Sequence, residues 1–165
     1  MEKRILKLEL ILALFLFFIP VVLIGVTNEI RPSISDYAYS KSNDVFTALL
    51  TIAGALFIYN GVINREKWYN IVLGCSLIGI GVTPHLDYAV LHYSFAALFF
   101  IGSIAVMIIY SSQQQRFLKV MLALIVLTAL IGCFAFKWYS LLVAEWIGLI
   151  PIAVHFIGES TQKLD

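Results

Sequence analysis

The chain has 165 residues, of which 13% are charged and 61% hydrophobic, with a mean hydropathy of +0.95 and a formal charge of +1. A soluble domain keeps roughly a quarter of its residues charged, so water is excluded as the main solvent. The near-neutral balance, with basic residues in short flanks rather than one patch, excludes nucleic acid as a partner.

A hydrocarbon core about 30 Å thick needs about 20 apolar residues per helix, and there uncharged length replaces periodicity as the signal. On that criterion the chain is an all-α polytopic bundle, a single transmembrane domain over residues 1–165. Its six transmembrane helices are expected at 8–27, 45–62, 69–84, 88–111, 116–136 and 139–157.

Lys3, Arg4 and Lys7 precede the first apolar run, Leu10 to Val26. That run is longer than the apolar region of about 7–15 residues in a signal peptide and lacks a small-residue cleavage site, so an uncleaved helix kinked at Pro20 is expected. Residues 28–44 then form the one long connection, placed on the extracytoplasmic side. Tyr37 and Tyr39 beside Ile34 predict that it folds back onto the bundle or the membrane surface.

The third helix is short, with room to continue to His85, and the bulky aliphatic fifth helix is expected at the periphery. Cys75 and Cys133 lie in separate apolar runs at different depths and read as small buried hydrophobes. Lys3, Arg4, Lys7, Arg65, Lys67, Arg116, Lys119 and Lys163 fall on one side of these spans, and Arg31, Lys41 and Lys137 on the other. The positive-inside rule therefore puts both termini in the cytoplasm. Trp68, Tyr69, Tyr88, Tyr110, Trp138 and Tyr139 sit at span ends, as interfacial anchors do.

Helices in lipid associate through small residues. Such stripes run through Thr47, Thr51, Gly54 and Gly61; Gly74 and Gly81; Ala96 and Ser103; and Ser140, Ala144, Gly148 and Pro151. Followed outward, they lead to Asp44, His85, His92 and Glu145, with Asp36 and Asp87 in adjoining loops. An ionisable group at membrane depth is costly unless paired or hydrated, and so marks a candidate site. From helix rise, His92 should lie about 7 Å and Glu145 about 10 Å below the outer surface, against about 26 Å for His155.

The three histidines therefore do not form one metal site. His85 and His92 with a carboxylate remain a possible zinc-type pair, although their spacing is not a metal signature. Glu145 and His92 are equally readable as groups that tie helices together, and Ser33, Ser35 and Asp36 as a turn after Pro32. Glu9, Tyr59, Asn60 and His155 read as boundary or packing residues. The sequence carries no phosphate loop, nucleophile elbow or zinc-protease motif, and names no cofactor.

Pro32, Ile34, Ser35 and Asp36, followed by Val45 and Phe46, resemble the signature of the DRAM/Frag superfamily of six-helix membrane proteins. His92 with Ala96, and Ala144, Glu145 and Trp146, resemble its later motifs, so the likeness covers most of residues 30–157. After Asp36 the chain reads Tyr-Ala-Tyr where eukaryotic members continue with Gly and prolines, which points to a small bacterial relative. The resemblance implies lipid-related work without fixing a reaction.

The expected function is recognition or remodelling of a membrane lipid at the extracytoplasmic leaflet. Asp36, His92 and Glu145 are the catalytic candidates, with Glu145 or His92 as general base and Asp36 as a ligand or orienting group. Ser33, Ser35, Asp44, His85, Asp87 and Trp146 are the binding candidates. A small transporter or proton-coupled permease using Glu145, and a scaffold without chemistry, are the alternatives.

Overall fold

The computed structural model describes residues 2–110, 112–161 and 164, without the side chains of residues 2–4. Ser111, the expected end of the fourth helix, and Lys163, an expected cytoplasmic cation, lie outside the described residues, as do the side chains of Lys3 and Arg4.

Among the described residues the chain forms six helices and no strand: α1 (Glu2–Thr27), α2 (Asn43–Ile63), α3 (Tyr69–Val82), α4 (Ala89–Ala105), α5 (Arg116–Phe134) and α6 (Leu141–Ser160). The α4 helix continues as a π-helical segment, Val106–Tyr110. Short 3₁₀ turns, Ser35–Tyr39 and Arg65–Lys67, sit in the connections before α2 and α3. All helices except α3, with α4 counted through its π-helical continuation to Tyr110, are long and apolar enough to cross a membrane.

α3 stops at Val82 and does not reach His85. Pro84 lacks an N–H and disfavours helical backbone at Thr83, whose φ, ψ of −118°, 79° lie outside the helix. α1 runs through Pro20. α6 starts cleanly because Ser140 Oγ accepts from Val143 N.

Each helix packs on the next in sequence and α6 returns to α1, closing a ring. One end, the loop end, carries residues 28–42 and the α3–α4 and α5–α6 turns; the opposite, terminal end gathers residues from the start of α1 and the end of α6. Phe57 fills the centre edge-on to Phe156 and Phe99, at 5.0 and 6.1 Å between ring centroids.

The closest helix pair is α2 with α3, where Gly54 and Gly74 oppose each other: a Cβ on Gly54 would sit 2.5 Å from the Gly74 carbonyl oxygen. That is the small-residue packing expected of the stripes, which Thr47 extends by donating to Gly81 O at 3.2 Å. Thr51 departs from its stripe and is exposed. Cys75 is likewise exposed rather than buried. α5 is peripheral on one face only: Phe117 is 81% exposed, while Lys119 is fully buried with its Nζ 3.0 Å from both Ser112 O and Ser112 Oγ.

The terminal end differs most from expectation. Glu9, Asn60 and His155, expected as boundary or packing residues, are buried in one polar network with Lys67, Asn70 and Glu159. Lys67 is therefore a buried partner of two carboxylates, not an interfacial cation. Residues from α1, the 3₁₀ turn before α3, and α6 are far apart in sequence, and only the closed ring brings them together.

Candidate functional site

The connection after α1 folds back over the loop end, as the tyrosines beside Ile34 predicted. Pro32 O accepts from Leu142 N at 2.7 Å, satisfying one of the orphan N–H groups that begin α6. Two residues on, Ile34 N donates to Glu145 Oε2 at 2.5 Å. Tyr37 is fully buried and its hydroxyl donates to Glu29 O at 2.8 Å.

Between these anchors Ser33 organises the turn. Its Oγ accepts from Asp36 N at 3.0 Å and donates to Asp36 Oδ2 at 2.7 Å. A hydroxyl has one proton, so in the 3.0 Å Ser33–Ser35 contact it is Ser35 Oγ that donates. The turn reading of Pro32 to Asp36 is thus correct, and the same turn delivers Ser35 and Asp36 to the site.

Asp36 Oδ1 lies 3.5 Å from His85 Nε2. Tyr39 packs edge-on against the His85 ring at 5.3 Å, and its hydroxyl accepts from Leu86 N at 2.7 Å and donates to Asp87 Oδ2 at 3.4 Å. His92, 3% exposed in the first turn of α4, has its Nδ1 2.7 Å from Thr83 O. A carbonyl can only accept, so Nδ1 carries the hydrogen and Nε2 is the acceptor of the neutral ring.

Ser35, His92 and Glu145 meet at the head of a groove of about 540 Å³ between α4, α5 and α6. Below them its walls are apolar, with Ala97, Phe100, Leu127 and Leu130 among the lining residues. The groove exists because α4 and α5 touch only sparsely, while α5 packs closely on α6. A smaller cavity of about 50 Å³ shares Ser35, His92, Ala96, Phe100 and Glu145 and reaches the core at Phe46 and Leu50. Wall positions from His92 to Ile101 span about 13 Å of helix rise, so the groove runs from the loop end toward mid-bundle.

The predicted residues therefore separate into groups. Ser35, His92 and Glu145 converge on the groove; Ser33, Asp36 and His85 form the turn above it; Asp87 is exposed at the rim. Trp146 flanks Glu145, with its indole Nε1 buried and without a hydrogen-bond partner among the described residues. Asp44 does not join this group: it is exposed in the first turn of α2, where a carboxylate complements the helix dipole.

His85 and His92 are neighbours, with ring centroids 5.7 Å apart, but no group of three His, Cys, Asp or Glu among the described residues is placed to hold a metal ion. Sequence reasoning missed the apolar lining of the groove. In a chain of apolar helices, Ala97 or Leu127 looks no different from a lipid-facing residue, and the adjacent Ala96 and Ala97 were the one small-residue hint.

No curated protein matches the chain, and no solved structure matches it. One family model matches residues 15–160, which include half of α1, the other five helices whole and every residue of the groove. The chain belongs to that family, a family of unknown function designated DUF7103.

Proposed function

We propose that this protein binds a membrane lipid in the groove between α4, α5 and α6, with an acyl chain against the apolar walls and the headgroup linkage beside Ser35, His92 and Glu145. The observation that carries the reading is the groove itself. It joins a cluster of hydrogen-bonding side chains to an apolar trough among the helices, which matches the two-part chemistry of a lipid. In this reading all six helices span the bilayer, the termini are cytoplasmic, and the loop end faces the outer leaflet of a bacterial inner membrane.

The resemblance to the DRAM/Frag superfamily points to the same class of ligand. If the lipid is remodelled as well as bound, His92 Nε2 is the best-placed base, because Thr83 O fixes its tautomer. Glu145 is engaged by Ile34 N and holds the loop over the groove. Asp36 orients His85 and Ser33.

The test is native mass spectrometry of protein released from bilayer nanodiscs made of its host's lipids. Wild type should retain lipid, while Ala97→Trp and Leu130→Trp, which fill the trough, should lose it without loss of thermal stability. An unchanged lipid complement in both folded variants overturns the reading. Solute or proton flux in liposomes that depends on Glu145 would instead support a permease, although about 15 Å of mainly apolar α6 separates Glu145 from His155.

A further inference from the structure

The polar network at the terminal end is not used by the lipid site. Glu9, Asn60 and Asn70 are fully inaccessible, and His155 and Glu159 nearly so. Lys67 Nζ is 2.8 Å from Glu9 Oε1 and 3.0 Å from Glu159 Oε2, and His155 Nε2 is 3.4 Å from Glu159 Oε1. Asn60 Nδ2 donates to Glu9 Oε1 at 3.4 Å, and Asn70 Nδ2 donates to Asn60 Oδ1 at 2.7 Å.

The two amides are oriented in series. Glu9 Oε1 already accepts from Lys67, so Asn60 must turn its NH₂ toward it and its carbonyl toward Asn70. Asn70 must then present its own NH₂, and its Oδ1 is turned away. Reversing either amide would set oxygen against oxygen. The chain of bonds therefore ends in two buried acceptors, Glu9 Oε2 and Asn70 Oδ1, neither with a hydrogen-bond partner among the described residues. Buried acceptors without a donor are rare and costly. A hydrogen on Glu9 Oε2 removes the negative charge that this unpartnered oxygen would otherwise bury, and leaves both bonds to Oε1 in place.

We propose that this network is a binding site for one exchangeable proton, seated on Glu9 Oε2. The step balances as Glu9 carboxylate plus hydronium giving the carboxylic acid plus water. The groups facing Glu9 are Lys67 from the turn before α3, Asn60 from α2, and, through Lys67, Glu159 with His155 from α6. Lys7, Arg65 and Glu66 are exposed at the same end. Because α1, α2, α3 and α6 all contribute, the proton is part of what clamps the terminal end shut. The site is independent of the lipid groove and stands whether or not a lipid binds there.

The experiment is infrared difference spectroscopy, in H₂O and D₂O, on protein in phosphatidylcholine nanodiscs. Wild type should show the stretch of a protonated carboxyl that shifts on deuteration and disappears as the buffer is made alkaline. Glu9→Gln, which sets a neutral NH₂ where the protonated acid has its OH and keeps the carbonyl acceptor, should fold, lack that band and lose the accompanying change of Tm with pH. A Glu145→Gln variant should keep the band, because Glu145 lies at the other end of the molecule. The proposal is overturned if wild type shows no such band, as when a water fills the site, if E9Q retains it, or if Glu145→Gln loses it. The wild-type and Glu145→Gln spectra can still overturn it should E9Q fail to fold.

Discussion

Replacing Glu145 by Ala should loosen the loop over the groove by a calculable amount. The substitution removes the acceptor of the Ile34 amide, and Ile34 is 7% exposed, so its N–H would be left without an equivalent partner. Orphaning such a donor costs about 1–3 kcal/mol. Other anchors persist, because Pro32 O still accepts from Leu142 N and Tyr37 remains buried, so the loop should open locally rather than detach. If exchange proceeds through that local opening, the Ile34 amide should exchange roughly 5- to 150-fold faster. Glu145→Gln keeps a carbonyl acceptor at the same reach and should stay closer to wild type. Hydrogen–deuterium exchange in nanodiscs, read on peptides covering residues 28–42, distinguishes the two. Equal protection in wild type and E145A would refute the reasoning, since the Ile34–Glu145 bond would then contribute nothing to closing the loop.

Further outcomes follow from the packing. Gly74→Ala sets a methyl against the Gly54 backbone carbonyl and should cost about 1–3 kcal/mol in thermal or denaturant unfolding. Gly25→Ala meets nothing within 4 Å and should be neutral or stabilising by about 0.5–1 kcal/mol, so equal effects at the two glycines would contradict the packing argument. Lys67→Met leaves the Glu9 and Glu159 carboxyls without their shared cation and should destabilise by about 3–5 kcal/mol; an unchanged Tm in detergent would mean the network is not a structural clamp. Tyr37→Phe removes the bond to Glu29 O and should cost about 1 kcal/mol, read as a lower Tm with the lipid complement unaltered.

The two polar ends have different chemistry. At the loop end, polar groups are held by a turn and line a groove, so a ligand can displace water there and meet Ser35, His92 and Glu145. At the terminal end, charges face one another across a junction of four helices. The lipid proposed above would take the loop end, and the proton the terminal end.

Local sequence determined the helices and the outer turn. Apolar length specifies where the chain must satisfy its backbone internally, Pro84 ends α3, Ser140 starts α6, and Ser33 with Asp36 closes a turn whose bonds all lie within a few residues. The nearness of His92 to Glu145 was legible because rare polar groups in an apolar chain lay near one end of their helices, whereas Ser35 reaches them from the first loop. Only the tertiary structure decided what surrounds them. Asp44 belongs to a helix end, and Glu9 and His155 belong to a network whose members lie up to 150 residues apart. The reason is physical: in a bilayer every helix face is apolar, so hydrophobicity cannot say which face meets a neighbour. That choice is made by shape, through Gly54 against Gly74 on one side of the ring and a sparse α4–α5 contact on the other.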